Sequence, residues 1–379
     1  MGKTGIEEHF IEKDGKRLRY GFTTGTCAAA AAKAAACLLL SGTAPQTIAI
    51  RTPKGIDLTL PVLEPVKTDG FSSCAIRKDS GDDPDVTNGV LVYARVAYSD
   101  EPGVSIDGGI GVGRVTKPGL KQAIGEAAIN PVPREMIRQA VEAAAEKYGC
   151  LKGLSVVISI PEGVALAEKT FNPRLGIVGG ISILGTSGVV EPMSEDALVD
   201  SIALEIRQRK ALGDTRLILT PGNYGADFLK AVHAVADERV VKCSNFVGDA
   251  LKHAEDTGFS EVLLVGHIGK FVKLSGGIMN THSKYGDHRA ELMAAAARAA
   301  GAEIATEQAM FDCVTTDEML RILAENGLLS GTMDALKSRI DAALAKRFPK
   351  LKIGVIVFTT GNRELFQNAL AGRWTEEGI

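Results

Sequence analysis

Five short segments of the chain join glycine to a hydroxyl, amide or imidazole side chain. They are Gly185-Thr186-Ser187-Gly188, Thr220-Pro221-Gly222-Asn223-Tyr224-Gly225, Ser244-Asn245-Phe246-Val247-Gly248, Gly266-His267-Ile268-Gly269-Lys270 and Thr359-Thr360-Gly361-Asn362. Each follows an apolar, β-type run. A glycine turn between a strand and a helix presents backbone N–H groups, and the neighbouring side chains add hydroxyls and carbonyls. Converging on one sheet edge, such loops suit a polar small molecule. We therefore take Gly185, Thr186, Ser187, Gly222, Asn223, Ser244 and Asn245 as candidate cofactor contacts. The glycines at 176–188 do not have the G-x-G-x-x-G spacing, and no G-x-x-x-x-G-K-[ST] occurs, which disfavours a P-loop hydrolase.

Three other clusters could do chemistry. In Gly21-Phe22-Thr23-Thr24-Gly25-Thr26-Cys27, the hydroxyls of Thr23, Thr24 and Thr26 could meet ligand carboxylates or phosphates; equally, Thr24 or Thr26 could cap the alanine-rich helix that follows. Asp79, Asp82, Asp83 and Asp85 put four carboxylates within seven residues. They could bind Mg²⁺ or Ca²⁺, although Gly81 and Pro84 break an EF-hand spacing, or they could orient polar groups of a substrate. His267 and His282 flank Lys270–Asn280. A metal would want three ligands, with His288 as the third; hydrogen bonding to a substrate is the other reading. We take both as candidate catalytic residues and assign no metal to the protein.

The elements that must hold these residues follow from pattern. The length of 379 residues suggests two domains. We expect an α+β N-terminal domain over 1–150, followed over 151–379 by an α/β Rossmann-like domain with a mainly parallel sheet. The first part reads as an arm at 1–19, a buried helix Ala28–Leu40, a hairpin Thr47–Arg51 with Ile56–Pro61, strands at Phe71–Lys78, Val90–Tyr98 and Leu154–Ile160, an extended proline link at 128–134 and a helix Glu135–Tyr148. The five glycines of Gly108–Gly119 suggest close backbone approach. From residue 175, strands at Ile181–Leu184, Arg216–Thr220, Val240–Cys243, Val262–Val265 and Ile353–Phe358 alternate with helices, which implies a parallel sheet. Ligands then bind beyond the carboxyl ends of the strands. A net charge of −3 gives no general case for nucleic acid or membrane binding. Six scattered cysteines without C-x-x-C fit reduced thiols and a cytoplasmic setting.

The motifs together resemble the CbiD family, the cobalt-precorrin-5B C1-methyltransferases of anaerobic cobalamin biosynthesis. The resemblance lies in Gly21–Cys27 with its alanine run, Gly81-Asp82-Asp83-Pro84-Asp85-Val86-Thr87, Gly111–Gly119, Ala128–Arg134 and Lys169–Gly176. It continues in Thr220–Gly225, Lys242–Phe246 and Gly266–Lys270. It departs at Asn88, where a histidine is expected. The resemblance implies S-adenosyl-L-methionine as methyl donor and a tetrapyrrole acid as acceptor, methylated at C1 to give cobalt-precorrin-6A. Cobalt arrives as part of the substrate. Thr23, Thr24, Thr26, Asp82, Asp83, Asp85, Arg114, Lys117, Arg174 and Lys270 are the candidate substrate contacts. Cations in or beside the motifs (Arg77, Lys78, Arg114, Lys117, Arg134, Lys169, Arg174, Lys270 and Lys273) would meet the carboxylate rim of the macrocycle. A homo-oligomer is compatible with this reading. An ATP-dependent kinase or ligase and a non-enzymatic tetrapyrrole carrier are the rival classes. ATP turnover would favour the first, and corrinoid binding without donor binding the second.

Overall fold

A computed structural model describes residues 3–13 and 15–379. The chain forms two compact units, Met1–Ser194 and Glu195–Ile379.

The first unit is built on the helix Thr24–Ser41. Thr23 caps its start by accepting from the Thr26 N–H, and Gly42 ends it in the left-handed region. Its alanines are buried almost without exception, so a second helix, Pro131–Lys147, and the sheet approach it closely. This is the one helix among the described residues long and apolar enough to cross a membrane, and 83% of its apolar window is buried inside the protein. The sheet has five strands in the order Leu63–Lys67, Ser72–Arg77, Leu91–Ser99, Gly153–Ser159 and Val104–Gly108. All neighbours are antiparallel except the last pair. Leu91–Ser99 buries alternate residues, the period-2 pattern of a sheet with one face on the core.

Several details depart from the sequence expectation. The arm expected at 1–19 contains a hairpin, Phe10–Lys13 with Lys16–Arg19, and a fully buried Ile6; Met1, Gly2 and Asp14 lie outside the described residues. Pro131 and Pro133 do not extend a link but open the helix Pro131–Lys147, because a proline in the first turn loses no hydrogen bond the helix needs. The break between units falls after Ser194, not at 150/151. The reason is pairing: Gly153–Ser159 inserts between two strands of the first sheet, while Ile177–Val178, Gly180–Ile181 and Val189–Val190 pair with Arg114–Val115, Gly111–Val112 and Gly21–Phe22. The strand expected at Ile181–Leu184 is thus a short piece of the first unit. The glycine run does mark close approach, but to the protein's own backbone. A β-carbon at Gly111 would collide with the Ile160 carbonyl, and one at Gly180 with Gly111.

The second unit has a five-stranded sheet in the order Val240–Lys242, Arg216–Thr220, Glu261–His267, Lys352–Thr359 and Arg363–Gln367. The first four strands are parallel and the last is an antiparallel edge. Val262, Leu263, Leu264 and Val265 are completely buried, as in a strand covered on both faces. Helices Asn223–His233, Val247–Asp256, Arg289–Ala299, Thr316–Glu325 and Leu329–Arg347 connect the parallel strands. Sequence pattern missed the helix Ile304–Phe311, the edge strand and the final helix Ala369–Glu377.

Candidate active site

All four parallel strands of the second unit present their carboxyl ends at one edge: Thr220, Lys242, His267 and Thr359. Strand order reverses beside Arg216–Thr220. The next strand in sequence lies on one side of it and Glu261–His267 on the other, the arrangement that opens a crevice in such sheets. At this edge, Gly222 begins the helix Asn223–His233 with no side-chain cap, and Asn223 and Tyr224 are exposed. Among the described residues nothing lies within 4 Å of the position a Gly222 β-carbon would take. Ser244 sits in the left-handed region at φ 53°. Asn245 accepts from the Lys270 ammonium at 2.9 Å and from the Thr281 hydroxyl at 3.3 Å.

His267 ends its strand half-buried. Its Nδ1 accepts from the Gly269 N–H at 3.1 Å and caps the short helix Ile268–Phe271. Its Nε2 lies 3.3 Å from the Thr360 hydroxyl, and the ring stands edge-on to Phe358. Asp317, in the first turn of Thr316–Glu325, accepts from the Thr359 hydroxyl at 2.5 Å and the Thr360 hydroxyl at 2.6 Å. Those two hydroxyls hold its carboxyl below the usual range. Burial lowers the His267 pKa, against the pull of Asp317. Both ring nitrogens are engaged in the neutral form, so His267 acts in this structure as a cap, and a general-base role would require breaking that cap. His282 is also a cap: its Nδ1 accepts from the Lys284 N–H at 3.1 Å, but its side chain is exposed. Among the described residues no three His, Cys, Asp or Glu stand together as a metal-binding group.

The candidate contacts of the first unit are arranged differently. Gly185, Thr186 and Ser187 do not share the sheet edge with Gly222 and Ser244, because the strand before them belongs to the first unit. Gly185 is wedged against the Thr23 side chain, and Ser187 accepts from the Lys54 N–H. Thr23, Thr24 and Thr26 are buried and do not offer free hydroxyls. Thr24 donates to the Leu184 carbonyl and accepts from its N–H, Thr26 donates to the Gly188 carbonyl at 2.6 Å, and Thr23 caps the helix. The carboxylates of the acidic loop are likewise engaged by the protein itself. Asp82 accepts from the Arg19 N–H, Asp83 from the Met193 N–H, and Asp85 from Lys78, Ser80 and Thr87. Burial would raise the Asp85 pKa, but the Lys78 charge and the hydrogen bonds outweigh it and the net shift is down. Arg114 is held two-pronged by Asp107 at 2.7 and 2.8 Å. Arg134 donates to the Ile106 carbonyl and Arg77 to that of Gly89. Arg174 is half-buried and partnered. Lys117 lays its methylenes over Gly176, and Lys169 is exposed; among the described residues neither makes an ion pair.

The CbiD family model matches residues 11–192, and the model of the CbiD C-terminal domain matches 280–369. A relative from Ruminiclostridium cellulolyticum, named cobalt-precorrin-5B C(1)-methyltransferase, is 47% identical over 94% of this chain and 93% of its own. One of the same name from Alkaliphilus metalliredigens is 43% identical over 97% of each chain. The chain belongs to the CbiD family. A crystal structure of the cobalamin biosynthesis protein CbiD from Archaeoglobus fulgidus is 28% identical, covers 75% of this chain and 89% of that one, and superposes with a TM-score of 0.41.

The family models leave 193–279 unmatched, the segment that holds Gly222, Asn245 and His267. The R. cellulolyticum alignment, at 359 residues, is too long to omit it. In this CbiD chain, Asn88 accepts from the Ser80 N–H at 2.9 Å, so the residue that departs from the expected histidine closes the acidic turn. Sequence reasoning missed Asp317 and Thr281. Asp317 had a visible signal, an acid in the first turn after Thr315, which forms a capping box with Glu318; the strand end it reaches could not be read from that signal.

Proposed function

We infer that this chain is a cobalt-precorrin-5B C(1)-methyltransferase of cobalamin biosynthesis, producing cobalt-precorrin-6A with S-adenosyl-L-methionine as donor. The observation that carries the reading is 47% identity over 94% of the chain to a relative of that name. We read the second unit as a Rossmann-like module and assign the donor to its carboxyl edge. Gly222 offers an open approach to uncapped N–H groups, while Asn223, Ser244, Asn245 and Lys270 offer amide, hydroxyl and ammonium groups at neighbouring strand ends. These fit a ligand with hydroxyls and a carboxylate. When bound, the donor supplies a methyl group already activated on a sulfonium. What the chain supplies is alignment, which in favourable cases contributes ~7–11 kcal/mol. The capped, neutral His267 fits that division of labour, since the ring carbon attacked becomes quaternary and no base is obligatory. The acceptor is a polyacid, and Lys117, Lys169 and Lys270 are the cations of the motifs we assign to its rim or to the donor. The cytoplasmic reading rests on six free cysteines.

Calorimetry with S-adenosylhomocysteine, paired with transfer of labelled methyl to cobalt-precorrin-5B, tests this function. Binding together with transfer is the expected result. ATP turnover without transfer, or corrinoid binding without donor binding, would replace it.

A further inference from the structure

The two lysines after His267 differ in what holds them. Lys273 is 3% exposed and donates to the carbonyls of Thr281 at 3.3 Å and Gly286 at 3.0 Å. Lys270 is half-buried, and its hydrogen bond runs to a neutral group, the Asn245 amide oxygen at 2.9 Å. An ammonium has three donors, so Lys270 keeps capacity for another acceptor. The ionisable groups that act on it are Cys243 and Lys273. Burial pushes the Cys243 thiol up to about 12, so that group is neutral and gives no counter-charge. Among the described residues Lys270 makes no ion pair. A partly desolvated cation without an anion is unfavourable, yet this fold fixes one at the edge where strand ends converge.

A chain of hydrogen bonds does the fixing. The Thr360 hydroxyl has one proton and gives it to Asp317 at 2.6 Å. Its oxygen therefore faces His267 as an acceptor, and Nε2 must carry the ring proton. Nδ1 is then bare and accepts the Gly269 N–H, which caps the turn bearing Lys270. Without Asp317 the Thr360 hydroxyl is free to donate to Nε2. That move favours the other tautomer, whose Nδ1–H would oppose the Gly269 N–H.

We propose that Lys270 binds a carboxylate of one of the two reactants, and that Asp317, Thr360 and His267 are positioning residues that set its place. The proposal rests on the methyltransferase reading, in which two sources share this chemistry: the amino-acid end of the donor and the acid side chains of the macrocycle.

The test is Lys270→Met, whose melting temperature should stay close to wild type because no ion pair is lost. If the donor is the source, the variant binds S-adenosylhomocysteine about 10-fold or more weakly. Binding of 5′-methylthioadenosine, which lacks the carboxylate, is unchanged. If the macrocycle is the source, S-adenosylhomocysteine binding holds, and the KM for cobalt-precorrin-5B rises by about the same factor with kcat changed less. Lys270→Arg recovers part of either loss. Asp317→Ala shifts the same parameter by a smaller factor in the wild-type background and by no further factor in Lys270→Met. Unchanged donor and acceptor parameters in Lys270→Met would overturn the carboxylate site. Losses that multiply independently in the double variant would overturn the relay. A wild-type protein that binds no S-adenosylhomocysteine and transfers no methyl would overturn the methyltransferase reading, and this proposal with it.

Discussion

The threonine and acidic loops of the first unit and the strand-end loops of the second carry similar residue types, but their polar atoms point to different ends. In the first unit, Thr24, Thr26, Asp79, Asp82, Asp83 and Asp85 are all engaged by neighbouring backbone or by Arg19 and Lys78. In the second, Gly222 opens onto free space, the helix behind it lacks a side-chain cap, and among the described residues Lys270 has no anion. Buried polar groups must find partners. Where the chain supplies them all, the motif builds the fold. Where it leaves some wanting, a ligand can complete the set.

That contrast breaks most visibly at Asp85. Lys78 is 3% exposed and Asp85 is its ion-pair partner at 2.6 Å. Asp85→Ala leaves a buried ammonium uncompensated, and we expect a loss of about 3–5 kcal/mol in chemical denaturation. The pH profile carries the same signature. Because the folded-state pKa of Asp85 lies below the ordinary 3.8, its contribution is complete above that value and is lost as pH falls through the lower one. Wild type should lose stability in that acid window more steeply than Asp85→Ala. Equal slopes would show that the pair stabilises little.

Two glycines sharpen the comparison. Gly185 has φ +128°, and a side chain there would strike Thr23. Gly185→Val should cost about 2–4 kcal/mol through strain and overpacking, whatever it does to ligands. Gly222 lies in extended backbone at φ 164° with open space around it. Gly222→Val should stay within about 1 kcal/mol of wild type in stability and weaken S-adenosylhomocysteine about 10-fold or more. A Gly222 variant that binds normally would move the donor away from this edge.

The same contrast explains what could be read in advance. The parallel strands at 216–220, 240–242, 261–267 and 352–359 announce themselves as apolar runs between helices, because both of their faces are covered. Ile181–Leu184 has the same appearance but pairs with Gly111–Val112 and Ile129, and local pattern contains nothing about so distant a partner. The threonine loop was visible as a motif, whereas the fate of each hydroxyl depends on Leu184 and Gly188, far along the chain. Lys270 was legible as a cation beside glycine. Its lack of an anion, and the Asp317 relay behind it, depend on elements that follow much later in sequence.

The smallest expected effect belongs to one of the two histidines, which make the same local bond in different surroundings. Each accepts a backbone N–H two residues ahead through Nδ1. His282 is exposed and caps only the short turn Ser283–Tyr285. His282→Ala should therefore change stability by no more than about 0.5 kcal/mol and kcat/KM by no more than about 2-fold. His267 is half-buried, with Thr360 and Asp317 behind Nε2. His267→Ala should lower kcat/KM by about 10- to 100-fold, or ~1.4–2.7 kcal/mol, chiefly by raising KM as Lys270 loses its support. His267→Asn keeps a good capping group and should recover part of that loss. Acid provides an independent check. With its pKa depressed by burial, His267 holds its cap fully above the ordinary value of 6.5, and the cap is lost as pH falls through the lower folded value. Wild-type KM should then rise on acidification in that window, while that of His267→Asn stays flat. An acid limb that appears in kcat, and persists in His267→Asn, would mean that another group titrates and that the relay does not govern the site.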